Sequence, residues 1–195
     1  MAKKIMVLNG SPRKNGNTST VVEWFTAGAK EAGATVELVN VTGLKSKFSG
    51  CIACMGCQKS DKFECVVDDE VKPVLARIPS ADVVVFATPT YFFGPTAQLK
   101  TLLDRMYSLI KFNSDAGGYV HRLEHIALAL IATAGGGVQP GLQLVEETFK
   151  TIAGFSGAGF DSLLVPNASM YSDDLKQDRD LRDKAIAFGR KIATA

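Results

Sequence analysis

Short runs of apolar, often β-branched residues recur along the chain, and helical patterns separate them. The runs "KKIMVLNG" and "ADVVVFATPTY" are typical, and each stops at glycine or proline. Strands that are buried on both faces of a parallel sheet have this uniformly apolar composition. Because "ATVELVNV", "LEHIALALIATAGGG" and "FDSLLVPN" have a similar composition, we expect about five strands in all.

Helical patterns fill the intervals between these strands. They are predicted at residues 18–32, 69–78, 95–111, 139–153 and 174–193, the last capped by Ser172, Asp173 or Asp174. Strict alternation with right-handed crossovers predicts an α/β fold with three layers and a doubly wound parallel sheet. Five strands favour the flavodoxin-like order 2-1-3-4-5. We expect one domain over residues 1–195, with longer connections at 43–67 and 112–122.

Charge and composition exclude several classes of function. The formal net charge of +2 comes from lysines and arginines that are spread thinly, which argues against a nucleic-acid partner. The apolar run after the first two lysines is too short for a signal peptide or a membrane span. A cytoplasmic location without membrane attachment is therefore expected. In that reducing compartment, clustered cysteines favour metal or redox chemistry over disulfides.

Three loops at one sheet edge predict a nucleotide-like ligand. The loop after strand 1, "GSPRKNGNTST", opens a helix and is rich in hydroxyl and amide groups. It matches neither the Walker A pattern nor G-x-G-x-x-G. A single phosphate monoester held by Ser11, Asn17, Thr18 and main-chain amides, with charge from Arg13, fits better. The alternative is a plain capped start of a helix.

The loops after strands 3 and 4 offer a place for a flat ring. In "TPTYFFGPTAQLK" a turn between Pro89 and Gly94 carries three aromatic residues, although such residues are often core. In "ATAGGGVQPG" three successive glycines indicate a close approach to the backbone, or only a flexible turn. A phosphate at the first loop and a ring between the other two describe FMN.

The chain resembles the NADPH-dependent FMN reductases and, within them, the iron-sulfur flavoproteins. The resemblance lies in "GSPRKNGNT", "DDE", "ADVVVFATPTYFFGPTAQLKTLLDR", "TAGGG" and the cysteine run. It implies noncovalent FMN and homodimers or homotetramers. The phosphate would lie at Ser11, Arg13, Asn15, Asn17 and Thr18. The flavin would lie at Pro89, Thr90, Tyr91, Phe92 and Gly94, and the site would be closed by Thr133, Ala134, Gly135, Gly136 and Gly137.

All four cysteines lie in "CIACMGCQKSDKFEC", with the spacing C-x2-C-x2-C-x7-C. Cys51, Cys54, Cys57 and Cys65 could hold one 4Fe-4S cluster, as the resemblance implies, or zinc, or stay free thiols. No second set of cysteines exists for a second cluster. Asp68 and Asp69 are interpreted as helix caps. Arg105 is interpreted as part of a solvated or ion-paired helix face.

The leading functional hypothesis is an FMN-dependent oxidoreductase. Electrons would come from NAD(P)H, or from a ferredoxin-like donor, and pass to a quinone, flavin or other small acceptor. No catalytic side chain is expected, because hydride passes between nicotinamide and flavin directly. The alternatives are an electron carrier of the flavodoxin type, which a near-neutral charge disfavours, and a cysteine-based redox or metal sensor.

Overall fold

The computed structural model describes residues 2–113 and 118–195. Its centre is a five-stranded parallel sheet in the order β2-β1-β3-β6-β7. The strands of this sheet are β1 Lys4–Asn9, β2 Thr35–Asn40, β3 Val83–Pro89, β6 Ala127–Thr133 and β7 Phe160–Val165. The predicted α/β architecture and parallel sheet are confirmed, and each of the five predicted runs supplies one strand.

The numbering of the strands differs from the prediction because a hairpin was missed. β4 (Ile110–Asn113) and β5 (Gly118–His121) form a separate antiparallel pair. The helix predicted at 95–111 ends at Arg105, and β4 begins in what was predicted as its last turn, just before the predicted connection at 112–122. The last two strands of the central sheet are therefore the sixth and seventh in the chain rather than the fourth and fifth.

Helices cover both faces of the sheet. They are α1 Asn17–Glu31, α2 Gly56–Lys59, α3 Val71–Arg77, α4 Ala97–Arg105, α5 Gln143–Ser156, α6 Ser172–Lys176 and α7 Arg179–Thr194. α5 begins later than predicted, because Gln139 and Pro140 have extended backbone angles and Gly141 has φ +131°. The predicted last helix is broken in two, since Asp178 accepts a hydrogen bond from the Leu181 amide and caps a new helix.

Two hydrophobic cores, one on each face, hold the layers together. Phe25 of α1 and Phe188 of α7 pack on one face, and Leu99 of α4 and Phe149 of α5 pack on the other. α1 and α7 approach so closely that a Cβ at Gly28 would lie 2.0 Å from the Ile186 carbonyl oxygen. Both cores end at the carboxyl edge of the sheet, where the loops gather. In the part of the chain that the structure describes, none of the helices has the length and apolar composition to cross a bilayer.

Candidate functional site

The loops that follow β1, β3 and β6 meet at one edge of the sheet, as the topology requires. The Gly10 amide donates to the Ala87 carbonyl oxygen at 2.8 Å, and Thr96 Oγ1 donates to the Gly10 carbonyl oxygen at 2.8 Å. The Thr90 amide donates to the Thr133 carbonyl oxygen at 2.7 Å. These bonds fix the three predicted loops against one another, so that they form a single site.

The N-terminus of α1 faces this site without a side-chain cap. Gly16 occupies the N-cap position and offers no side chain to the first amides of the helix. Those amides have no partner within the helix, and the helix dipole adds positive charge there. Ser11, Asn17 and Thr18 are buried at this end, whereas Arg13 and Asn15 are exposed. The arrangement suits a phosphate group, which accepts hydrogen bonds from main-chain amides.

A fourth loop, at residues 166–171 after β7, also reaches the phosphate loop and was missed by the sequence analysis. Asn17 Nδ2 donates to the Ser169 carbonyl oxygen at 2.6 Å, and an Arg13 guanidinium nitrogen donates to the Met170 carbonyl oxygen at 3.3 Å. The Ala168 amide donates to the Ala134 carbonyl oxygen at 2.8 Å. Arg13 and Asn17 therefore both contact this loop, and Asn17 Oδ1 is buried without a partner in the described residues.

Thr18 and Thr133 connect the phosphate loop to the glycine-rich loop. Their hydroxyl oxygens lie 2.8 Å apart and are buried. Beyond Thr133 the chain turns outward: Ala134 and Gly137 are half-buried, and Gly135 and Gly136 are exposed. These glycines thus leave their backbone open to a ligand beside the phosphate loop.

The aromatic turn presents its rings to solvent. Tyr91 and Gly94 pair through two backbone hydrogen bonds of 2.9 and 3.2 Å, so the two phenylalanines between them form a tight turn. Phe92 has φ +46° and is 96% exposed, and Phe93 has φ +69°. Left-handed backbone in aromatic residues is strained, and such strain is concentrated at functional sites. The Thr90 hydroxyl at the base of the turn is buried without a partner in the described residues. Pro89, just before it, is buried in β3.

The four cysteines line one small, mostly apolar pocket that borders the C-terminal end of α4. Cys57 and Cys65 are buried, and Cys51 and Cys54 are exposed. Ala53 and Met55 have φ +51° and +56°, which bends the backbone tightly between the cysteines. In residues 2–113 and 118–195, no group of three or more His, Cys, Asp or Glu side chains is arranged to hold a metal. The thiols share a pocket but do not stand in a ligand geometry.

A buried ion pair, Arg105 and Asp69, closes the cysteine insertion. Their guanidinium nitrogen and carboxylate oxygen lie 2.7 Å apart, and the side chains are 2% and 3% exposed. Burial alone would raise the pKa of Asp69, but hydrogen bonds from Arg105 and the Lys47 amide lower it to about 2. Asp69 also accepts hydrogen bonds from the Val71 and Lys72 amides at 3.1 and 3.3 Å. Its predicted role as a helix cap is therefore observed, and the ion pair with Arg105 is a second role.

Arg105 contacts both ends of the insertion and the pocket between them. It donates to the Ser46 hydroxyl at 3.4 Å and to the Val67 carbonyl oxygen at 3.2 Å. Burial lowers the pKa of Arg105, but the Asp69 carboxylate and the Cys65 thiol outweigh burial and raise it above its usual value. The hairpin braces the other side of the insertion, because Gln58 Nε2 donates to the Ile110 carbonyl oxygen at 2.8 Å. Lys111 Nζ also bonds the Cys57 carbonyl oxygen.

Comparison with known proteins supports these observations. The sequence profile of NADPH-dependent FMN reductases matches residues 3–168. The chain belongs to the NADPH-dependent FMN reductase family.

Several relatives of the chain are named iron-sulfur flavoproteins. One from Methanocaldococcus jannaschii is 30% identical over 149 residues, which are 75% of this chain and 71% of the relative. The chain also matches two iron-sulfur flavoproteins from Archaeoglobus fulgidus, and it spans about half of their length, 45% of one and 48% of the other. The predicted family and subgroup are thereby confirmed.

Solved structures of FMN reductase relatives and other flavoproteins have the same fold. An NAD(P)H:quinone oxidoreductase from Methanothermobacter marburgensis superposes with a TM-score of 0.73 at 18% identity, covering 99% of this chain and 98% of that one. An FMN-dependent NADH-azoreductase from Bacillus anthracis, solved with FMN, has a TM-score of 0.72 at 15% identity, covering 98% and 100%. These two structures show the fold, and the family match supports FMN as the cofactor and oxidoreduction as the class of chemistry.

Proposed function

We propose that this protein takes electrons from NAD(P)H through FMN and delivers them to a quinone, a flavin or another small acceptor. The observation that carries the proposal is the meeting of four loops around the uncapped start of α1. The buried, unpartnered Thr90 hydroxyl and Asn17 Oδ1 lie in these loops and are polar groups that a bound ligand can satisfy. FMN, when bound, accepts a hydride from a nicotinamide and passes on electrons one or two at a time.

The residues of the chain bind and orient the cofactor. The first amides of α1 and the Ser11 hydroxyl bind its phosphate, and Arg13 supplies positive charge once it leaves the Met170 carbonyl oxygen. The turn at Tyr91–Gly94 and the backbone of Gly135 and Gly136 hold the ring. Asn15 is exposed and contributes at the rim of the phosphate loop. Residues Pro89, Thr133, Ala134 and Gly137 shape the floor and wall of the ring site.

We also propose that Cys51, Cys54, Cys57 and Cys65 hold one 4Fe-4S cluster that receives electrons from a ferredoxin-like donor. The support is the shared pocket of the four cysteines. The M. jannaschii relative is named an iron-sulfur flavoprotein. The exposed Cys51 and Cys54 must move inward to join Cys57 and Cys65.

We propose that the protein works in the cytoplasm as a homodimer or homotetramer. The support for an oligomer is Phe92, an almost fully exposed aromatic residue at the rim of the site, where a second copy would cover it.

The first experiment is to measure FMN, iron and zinc per chain on protein that is purified without air. About one FMN and about four irons are expected. Oxidation of NADPH and NADH is then followed with and without a benzoquinone acceptor. Protein without flavin contradicts the main proposal, and flavin without iron contradicts the cluster alone. Bound flavin that NAD(P)H does not reduce would contradict the proposed enzyme activity and favour the hypothesis of an electron carrier of the flavodoxin type.

Thr18→Val gives a matched test of the site, because it keeps the size of the side chain and removes the hydroxyl that contacts Thr133. FMN affinity should fall about 5- to 30-fold, as expected for one lost buried hydrogen bond. The control is Thr148→Val on α5, where the half-buried hydroxyl bonds the Leu144 carbonyl oxygen away from the site. Equal FMN affinity in both variants would contradict the placement of the phosphate loop.

A further inference from the structure

A second cavity lies at the carboxyl edge of the sheet, beyond the end of β2. Its volume is about 250 Å³, and its walls come from the turn after β2, the start of the cysteine insertion, α3 and α4. The polar side chains that line it are Thr42, Ser46, Lys47, Ser49, Gln98 and Thr101. The cavity is therefore polar, unlike the mostly apolar pocket of the cysteines.

The lining of this cavity suits an anion. Hydroxyl, amide and ammonium groups surround it, and no carboxylate of the described residues lines it. Lys47 is exposed and takes part in none of the ion pairs found in residues 2–113 and 118–195. The nearby Asp69 carboxylate is already paired with Arg105. An ammonium group beside hydroxyl donors is a typical binding site for phosphate oxygens.

The cavity is a neighbour of the proposed flavin site. Gln98 of α4 lines the cavity, whereas Leu99 lies so close to the phosphate loop that a Cβ at Gly10 would stand 2.7 Å from the Leu99 Cβ. The ends of β1 and β2 are also joined, because Asn9 Nδ2 donates to Asn40 Oδ1 at 3.2 Å. Both sites thus lie at the edge where an open parallel sheet binds its ligands.

We propose that this cavity binds the 2′-phosphate end of NADPH and that Lys47 distinguishes NADPH from NADH. The inference rests on the nicotinamide donor proposed above. Lys47 and the Ser49 hydroxyl donate to the phosphate oxygens. Phe48, which lines the cavity and is 43% exposed, stacks on the adenine. NADH has no phosphate at this position, so it gains nothing from the Lys47 ammonium.

The loop that carries these side chains is fixed before a ligand arrives. The Lys47 amide donates to the Asp69 carboxylate at 3.0 Å, and the Lys45 amide donates to the Glu70 carboxylate at 2.8 Å. The Ser46 hydroxyl donates to the Phe48 carbonyl oxygen at 2.7 Å. A backbone held in this way loses little conformational freedom when it binds a ligand, which favours affinity.

Lys47→Gln is the direct test, because it keeps most of the side chain and removes its charge. With FMN-loaded protein and a benzoquinone acceptor, the KM for NADPH should rise about 10-fold, as expected for one lost bond to a charged group, and the KM for NADH should stay unchanged. Lys45→Gln is the matched control, since Lys45 is also exposed but does not line the cavity. It should change neither constant. An equal rise of both constants in Lys47→Gln would overturn the inference.

Calorimetry tests the cavity without turnover. The wild-type protein should bind adenosine 2′,5′-bisphosphate about 10-fold more tightly than adenosine 5′-monophosphate, and Lys47→Gln should remove this preference. Equal affinities in the wild-type protein would overturn the inference even if NAD(P)H reduces the flavin. Bound flavin that neither NADPH nor NADH reduces would contradict the proposed donor instead, and the calorimetric preference then decides on the cavity by itself.

Discussion

The ionised Asp69 carboxylate stabilises the folded protein, and acid should remove this stabilisation by protonating it. Its pKa is lowered from the usual 3.8 to about 2, which corresponds to about 2 kcal/mol of stability at neutral pH. Because the pKa is lower in the folded state, this contribution is fully present above about pH 4 and disappears as the pH falls towards about 2. Asp69→Asn never has it, and additionally leaves the buried Arg105 charge without its partner.

The assay is urea unfolding of the wild-type protein and Asp69→Asn at a series of pH values, followed by far-ultraviolet circular dichroism. At pH 7 the variant should be less stable by about 3–5 kcal/mol, the cost of breaking a buried ion pair. The difference should shrink by about 2 kcal/mol as the pH falls from about 5 to about 2, because the wild-type carboxylate becomes protonated over this range. Comparing the two proteins cancels the titration of other groups.

Asp161→Asn is the matched control for this experiment. Asp161 pairs with Lys191 at 2.6 Å, but the two side chains are 37% and 59% exposed. An exposed pair of this kind contributes less than about 1 kcal/mol. A difference between the wild-type protein and Asp69→Asn that stays constant from pH 7 to pH 2 would refute the assignment of an ionised, stabilising Asp69.

Three further changes test the layers and the site. Gly28→Ala would place a Cβ 2.0 Å from the Ile186 carbonyl oxygen, so it should lower the free energy of unfolding by about 1–3 kcal/mol or more in urea titrations. Gly10→Ala would place a Cβ 2.9 Å from Thr96 Oγ1 and displace the phosphate loop. The free energy of FMN binding, from fluorescence titrations, should therefore fall more than the free energy of unfolding. Phe92→Ala should leave stability within about 0.5 kcal/mol, since the ring is 96% exposed, but weaken FMN binding or self-association in light scattering.

The sequence predicted the sheet and three of the four site loops for a physical reason. Strands buried on both faces are apolar along their whole length, and their carboxyl ends must meet at one edge. The fourth loop was missed because its contacts use the carbonyl oxygens of Ser169 and Met170, which every residue possesses. The polar "NAS" that follows β7 was the available signal, and it has the same relation to its strand as "GSP" has to β1.

The sequence analysis also missed the hairpin β4–β5 and the break before α7, because neither has a distinct sequence pattern. The hairpin β4–β5 is short, and its exposed rings stack on neighbouring rings, Phe112 on Tyr107 and Tyr119 on Phe155. No alternation of buried and exposed residues therefore marks it. The break before α7 depends on Asp178, one of several acidic residues in that segment. In the structure its contact with the Leu181 amide identifies it as the cap.

The role of Arg105 was missed because its partner lies 36 residues away. Sequence patterns reveal ion pairs at spacings of three or four on one helix, such as Lys100 and Asp104, and that pair is exposed and contributes little. The pair that matters more joins α4 to the end of the cysteine insertion and is almost completely buried. A substitution at Asp69 or Arg105 therefore changes stability and the cysteine pocket together.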